Sequence, residues 1–172
     1  MSTAPVDENE LLFRQVSPGG DPIYFDETRK PPVFHVVFLP GREDHDGLSM
    51  IRNKFRTEIW SAYRLERTTV RYRLACLNVS ELNRMSNERG TSDLTYNPSP
   101  DGLDNQHGEP WAHCCIAEIN KTIYDSDQDA KKRIKEWARH VSDWLSRDSI
   151  IGPFREPTEA DPYRPTSEAG DS

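Results

Sequence analysis

The stretch Trp111-Ala112-His113-Cys114-Cys115-Ile116-Ala117-Glu118-Ile119-Asn120 decides the fold. Small and apolar residues occupy both of its alternating faces, the pattern of a strand covered on two sides. Behind it, Ala130, Ile134, Trp137, Ala138, Val141, Trp144 and Leu145 recur at three- and four-residue spacing. That spacing predicts a helix over about 127–146 with a single apolar stripe. The start of this helix is acidic, as the helix dipole favours. A buried strand and an amphipathic helix that needs an apolar surface form one packing unit, around which the remaining elements are arranged.

Working outward, Leu11 to Val16 reads as a short strand, stopped by the turn signal Ser17-Pro18-Gly19-Gly20-Asp21-Pro22. Ile23-Tyr24-Phe25 adds a brief strand. Val33-Phe34-His35-Val36-Val37-Phe38-Leu39 is apolar and rich in β-branched and aromatic residues, which predicts a further strand. Leu48 to Ile51 is read as a strand, since Thr57 caps a helix over about 58–66 with Ile59, Ala62 and Tyr63 inward. Thr69 to Val79 alternates as a strand, with Val70, Tyr72, Leu74 and Cys76 on one face, and Ser80 to Asn83 caps one helical turn. Strand-rich order without regular βαβ alternation gives an α+β fold: a four- to five-stranded, mostly antiparallel sheet with two helices packed on one face and flexible termini. The expected organisation is a disordered leader at 1–9 and a single domain at 10–150 with a long polar loop at 85–110. A disordered acidic tail follows at 151–172. Within the loop, Tyr96, Leu103 and Trp111 are the residues able to pin the chain.

Composition narrows the function classes. A net charge of -7 argues against indiscriminate nucleic-acid binding. No apolar run approaches the ~20 residues that span a bilayer. The first ten residues lack the basic start and apolar core of a signal peptide, so a cytoplasmic location and no membrane partner are expected. The three cysteines, two of them adjacent on a strand and therefore facing opposite ways, form no disulfide framework.

The candidate chemistry is limited. Zinc needs about four converging ligands, and no CxxC or HxxxH pair is present, although His113, Cys115, Cys76 and His35 are the residues to watch. No metal and no cofactor are expected. A catalytic cysteine needs a base within reach and an environment that lowers its pKa; Cys114 and Cys115 on a buried strand read instead as core residues. Asp44, His45 and Asp46 read as a solvated loop. Phosphate-cradling glycine loops and the G-x-S-x-G elbow are absent. The segment from Arg52 to Arg73 is basic. Arg52, Lys54, Arg56, Arg71 and Arg73 are candidate anion contacts there, and nucleic acid is a partner not favoured by the overall charge.

Arg14, Ser49 and Glu118 lie in order on an early, a middle and a late strand. This order resembles the R–S–E pattern of ADP-ribosyltransferases, and the resemblance implies arginine and serine holding NAD while glutamate polarises the ribose. Here Leu48-Ser49-Met50 replaces Ser-Thr-Ser, and Ile116 stands two residues before the glutamate. With His113, these residues form the candidate catalytic set, which requires all four to converge in one cleft.

Leu12-Phe13-Arg14-Gln15-Val16, Gly47-Leu48-Ser49-Met50 and Pro110-Trp111-Ala112-His113 resemble the LFRQV, GLSV and P-x-x-H segments of short uncharacterised bacterial proteins associated with conflict or defence loci. That resemblance implies an accessory subunit and singles out Arg14, Ser49 and His113. The leading expectation is a non-enzymatic accessory or protein-binding subunit with another protein as partner. A small nucleotide-directed enzyme or toxin and an anion or nucleic-acid binder are the alternatives.

Overall fold

The computed structural model describes residues 5–16, 24–26, 28–42, 44–53, 72–99, 113–145 and 149–154, with backbone alone at 72 and 151–154. The expected helix at 58–66, the start of the strand at 69, and Lys54, Arg56 and Arg71 lie outside these residues.

Strands β1 (Leu11–Val16), β2 (Leu48–Arg52), β3 (Tyr72–Asn78), β4 (Tyr96–Ser99), β5 (His113–Ile116) and β6 (Ile150–Phe154) form one sheet in the order β4-β5-β2-β1-β3-β6. Every neighbouring pair is antiparallel. The opening stretch supplies β5, which pairs on one side with β2 and on the other with β4. Helices α1 (Val79–Asn87), α2 (Lys121–Ser126) and α3 (Gln128–Trp144) complete the α+β fold.

Register sorts the side chains. Leu12 and Val16 of β1, Leu48 and Met50 of β2, Ala75 and Leu77 of β3, and Cys114 and Ile116 of β5 share one face. They are packed with Leu82 and Met85 of α1 and with Ile134, Trp137, Ala138 and Val141 of α3. Each fully buried side chain of this size contributes about 1.5–3 kcal/mol relative to exposure, so this layer dominates the folding energy. On the opposite face, Phe13, Ile51 and Leu74 are also buried. No helix among the described residues is long and apolar enough to cross a membrane.

Several elements differ from the sequence-based expectation. The apolar run at 33–39 is not a strand. Val33 makes an isolated bridge to Phe25, and His35–Phe38 is a single 3-10 turn that buries Val37 and Phe38 in the core. β-Branched and aromatic enrichment reports burial more reliably than backbone state. The single turn after Asn78 is instead the nine-residue α1. The Asn78 side chain accepts from the N–H groups of Ser80 and Glu81 at 2.9 and 3.3 Å, which ends β3 and starts the helix. Asn120 caps the short α2, and Asp127 accepts from Asp129 and Ala130 at 3.0 and 3.1 Å to start α3.

Of the polar stretch 85–110, residues 85–99 are described, and they contain the end of α1 and all of β4. Tyr96 does pin this part, with its hydroxyl donating to Asn83 Oδ1 at 3.0 Å, while Leu103 and Trp111 lie outside the described residues. The ordered sheet also runs past residue 150, to Phe154. Prolines concealed both strands. Pro98 lies in β4 and Pro153 in β6, and both are edge strands, where a missing N–H costs no ladder bond.

Candidate functional site: a serine–histidine pair in a polar cleft

Pairing of Ser49 with Cys115 and of Ile51 with His113 places Ser49 and His113 diagonally across β2 and β5, on the face away from α1 and α3. Diagonal neighbours on one face are within reach of long side chains. Here Ser49 Oγ lies 2.5 Å from His113 Nε2. Burial is the largest influence on His113 and lowers its pKa from 6.5; Arg14 adds to this, while nearby Asp44 opposes it. The imidazole is therefore neutral at pH 7. In the tautomer protonated at Nδ1, its Nε2 is the acceptor for the Ser49 hydroxyl.

The serine is also held by its backbone. Its N–H donates to Asp44 Oδ1 at 3.1 Å, and its carbonyl accepts from Arg14 Nη1 at 2.9 Å. Arg14 further donates from Nε to the carbonyl of Val37 at 2.8 Å and pairs through Nη2 with Asp44 Oδ2 at 3.5 Å. Asp44 is buried, and Oδ2 accepts the Gly41 N–H at 2.6 Å. Its own carbonyl accepts the N–H of Lys121, which fastens the 41–47 loop to the start of α2. Arg14, Asp44, Ser49 and His113 thus form one connected polar group.

These four residues line a cleft of about 840 Å³ whose wall also includes Gln15, Arg42, Asn97 and Cys115. The volume falls within the range of small-molecule sites, roughly 300–1,000 Å³. Its lining mixes carboxylate, guanidinium, amide and hydroxyl groups. Comparison with protein families, with curated proteins and with solved structures finds no match to this chain.

Three of the four expected catalytic residues converge, and the fourth does not. Glu118 is exposed, accepts the Thr95 N–H at 2.6 Å, and borders a different cavity beside α3. The R–S–E arrangement is therefore not assembled. Asp44 is instead the buried carboxylate of this group, bound to the Ser49 and Gly41 N–H groups and to Arg14, although its sequence neighbours suggested a solvated loop. The available signal was Gly47, between Asp44 and β2, whose φ of 145° turns the loop back against Ile116 and brings Asp44 under Ser49.

The anion-binding set also changes. Arg52 is buried and donates to both carboxylate oxygens of Glu10, at 2.6 and 3.0 Å, so it serves the interior. Arg73 lies over the Phe25 ring at 4.0 Å. Among the described residues, no group of three or more His, Cys, Asp or Glu side chains could hold a metal ion. Burial pushes the Cys76 and Cys114 thiols up to about 12 and raises that of Cys115 as well. Thiols held in the protonated form are poor nucleophiles.

Proposed function

We propose that this protein is a small acyl-processing enzyme in which Ser49 is the nucleophile and His113 its general base. The observation that carries this reading is the 2.5 Å contact between Ser49 Oγ and a neutral, half-buried His113 within the cleft. Ser49 Oγ attacks the acyl carbon, and its proton passes to His113 Nε2. The imidazolium returns that proton to the departing alcohol, thiol or amine, and water, activated by the same base, releases the acyl group. Asp44 stabilises the imidazolium through space, and Arg14 positions both Asp44 and the Ser49 backbone.

Arg14 and Arg42 face Asp44 and Asp46 in the cleft wall, so the formal charges balance. A neutral acyl compound is the substrate class that such a lining fits.

The test is labelling with a fluorophosphonate probe, followed by intact mass and peptide mapping. A single adduct on Ser49 is expected, absent in Ser49→Ala and slowed about 10²–10⁴-fold in His113→Gln. An unlabelled wild-type protein, or equal labelling of Ser49→Ala, would sink the assignment.

A second reading, an accessory subunit of a bacterial conflict or defence system, is supported by the exposed indole of Trp144 at the end of α3 and by the resemblance noted above. Affinity purification from the native host tests it, with a stoichiometric partner that is lost on Trp144→Ala as the supporting outcome.

A further inference from the structure

The ladder between β1 and β2 stops short of Ser49. Among the described residues, these strands pair at Leu12–Arg52 and Phe13–Ile51 and no further, whereas β1 runs on beside β3 through Gln15–Leu74 to Val16–Arg73. Continuing the β1–β2 register by two residues would bring Gln15 opposite Ser49. That rung is unmade because its groups are taken: the Ser49 N–H goes to Asp44 and the Ser49 carbonyl to Arg14. The sheet opens at this point, and the cleft lies over the opening.

Side chains alternate along a strand, so Gln15 projects from the same face as Phe13. Through the pairs Phe13–Ile51 and Ile51–His113, that face is the one bearing Ser49 and His113. Gln15 is exposed there and lines the cleft. The serine therefore has an imidazole from β5 on one side and a carboxamide from β1 on the other. Two methylenes carry that carboxamide across a rung opened beyond the roughly 5 Å of a closed pair.

Acyl transfer needs a donor in that position. When a hydroxyl oxygen adds to a carbonyl carbon, the C=O π pair moves onto oxygen, and a preorganised N–H stabilises the charge. Other donors close to Ser49 are engaged. Arg14 spends Nε, Nη1 and Nη2 on Val37, Ser49 and Asp44, and the Ser49 N–H is held by Asp44. Asn97 and Ser49 pair with Cys115 from opposite sides, which at ~4.8 Å per strand sets Asn97 about 10 Å off. Arg42 is the remaining cationic donor in the wall.

We infer that Gln15 is the oxyanion donor of this cleft, an inference that rests on Ser49 acting as the nucleophile. The bond from Oγ to the acyl carbon forms as His113 Nε2 takes the hydroxyl proton. The carbonyl oxygen, now holding the π pair, accepts from Gln15 Nε2–H. Collapse restores the C=O, breaks the bond to the leaving group and passes the imidazolium proton to it. A neutral carboxamide suits a neutral ester or thioester, whose charge appears only in the transition state.

The test compares p-nitrophenyl acetate with its thiono analogue, in which sulfur, a weak hydrogen-bond acceptor, replaces the carbonyl oxygen. Gln15→Ala and the similarly sized Gln15→Leu are expected to lower kcat for the oxygen ester about 10²-fold with little change in KM. The thionoester should lose far less, so the preference for oxygen over sulfur collapses. His113→Gln should slow both esters and keep that preference. Ser49-dependent hydrolysis whose oxygen preference survives in both Gln15 variants overturns the role of Gln15 alone, as does a preference abolished by Arg42→Ala instead. Hydrolysis by the wild type no faster than by Ser49→Ala overturns the serine reading and this inference together.

Discussion

Ser49 is fixed at three atoms: its N–H by Asp44, its carbonyl by Arg14 and its hydroxyl by His113. Such anchoring removes rotamer freedom before any ligand arrives, which is the structural content of preorganisation. The pH behaviour follows from His113. Burial lowers its pKa below 6.5, and only the neutral ring can accept the serine proton. Modification of Ser49 is therefore expected to stay level through neutral pH. It should fall about tenfold per pH unit only once the pH drops through a transition below 6.5. A pH profile of probe labelling reads this directly, and a transition above 6.5 would contradict it. Arg14, Ser49 and His113 were legible as candidates through the resemblances their segments carry, and His113 also because a polar ring on an otherwise apolar strand demands a partner. Asp44 was not legible, since nothing in Asp44-His45-Asp46 announces that the N–H groups of Gly41 and Ser49 and the guanidinium of Arg14 will converge on the first of them.

The pairing of β2 with β5 delivers Ser49 to His113, and Gly47 governs how closely those strands approach. A Cβ at position 47 would stand 2.4 Å from the Ile116 carbonyl oxygen, and the φ of 145° is itself unfavourable for any other residue. Gly47→Ala is expected to cost at least about 1–3 kcal/mol from the backbone conformation alone, with the clash added. Urea denaturation measures the loss, and the same variant should label more slowly at Ser49 because the two strands are pushed apart. Elements with strong periodicity, such as α3 and β1 to β3, could be read from sequence because their side-chain pattern matches their burial. The 33–39 turn, β4 and β6 could not. In the first, apolar content reflects end-on packing against the core. In the others, Pro98 and Pro153 obscure strands that lie at the margins of the sheet, and no local pattern reveals which strand will be outermost.

At the scale of the whole molecule, the sheet closes over an interior charge pair. Arg52 is fully buried, and Glu10, preceding β1, meets it with both carboxylate oxygens. Removing one member of such a pair leaves the other desolvated. Glu10→Ala is thus expected to destabilise the protein by about 3–5 kcal/mol, whereas the double replacement Glu10→Leu with Arg52→Met should recover most of that loss. Denaturant titrations of the wild type, Glu10→Leu, Arg52→Met and the double variant, alongside Glu10→Ala, give the comparison, and additive losses would show that the two residues are not coupled.

The prolines at the two margins have a further consequence. An open sheet presents unpaired N–H and C=O groups along its outermost strands, which can template the addition of a strand from a neighbouring molecule. Among the described residues β4 and β6 are outermost, and Pro98 and Pro153 each remove one N–H donor from them. Strand addition would meet a missing donor at both margins of the described sheet, so the two residues that make these strands hard to read also act against such pairing.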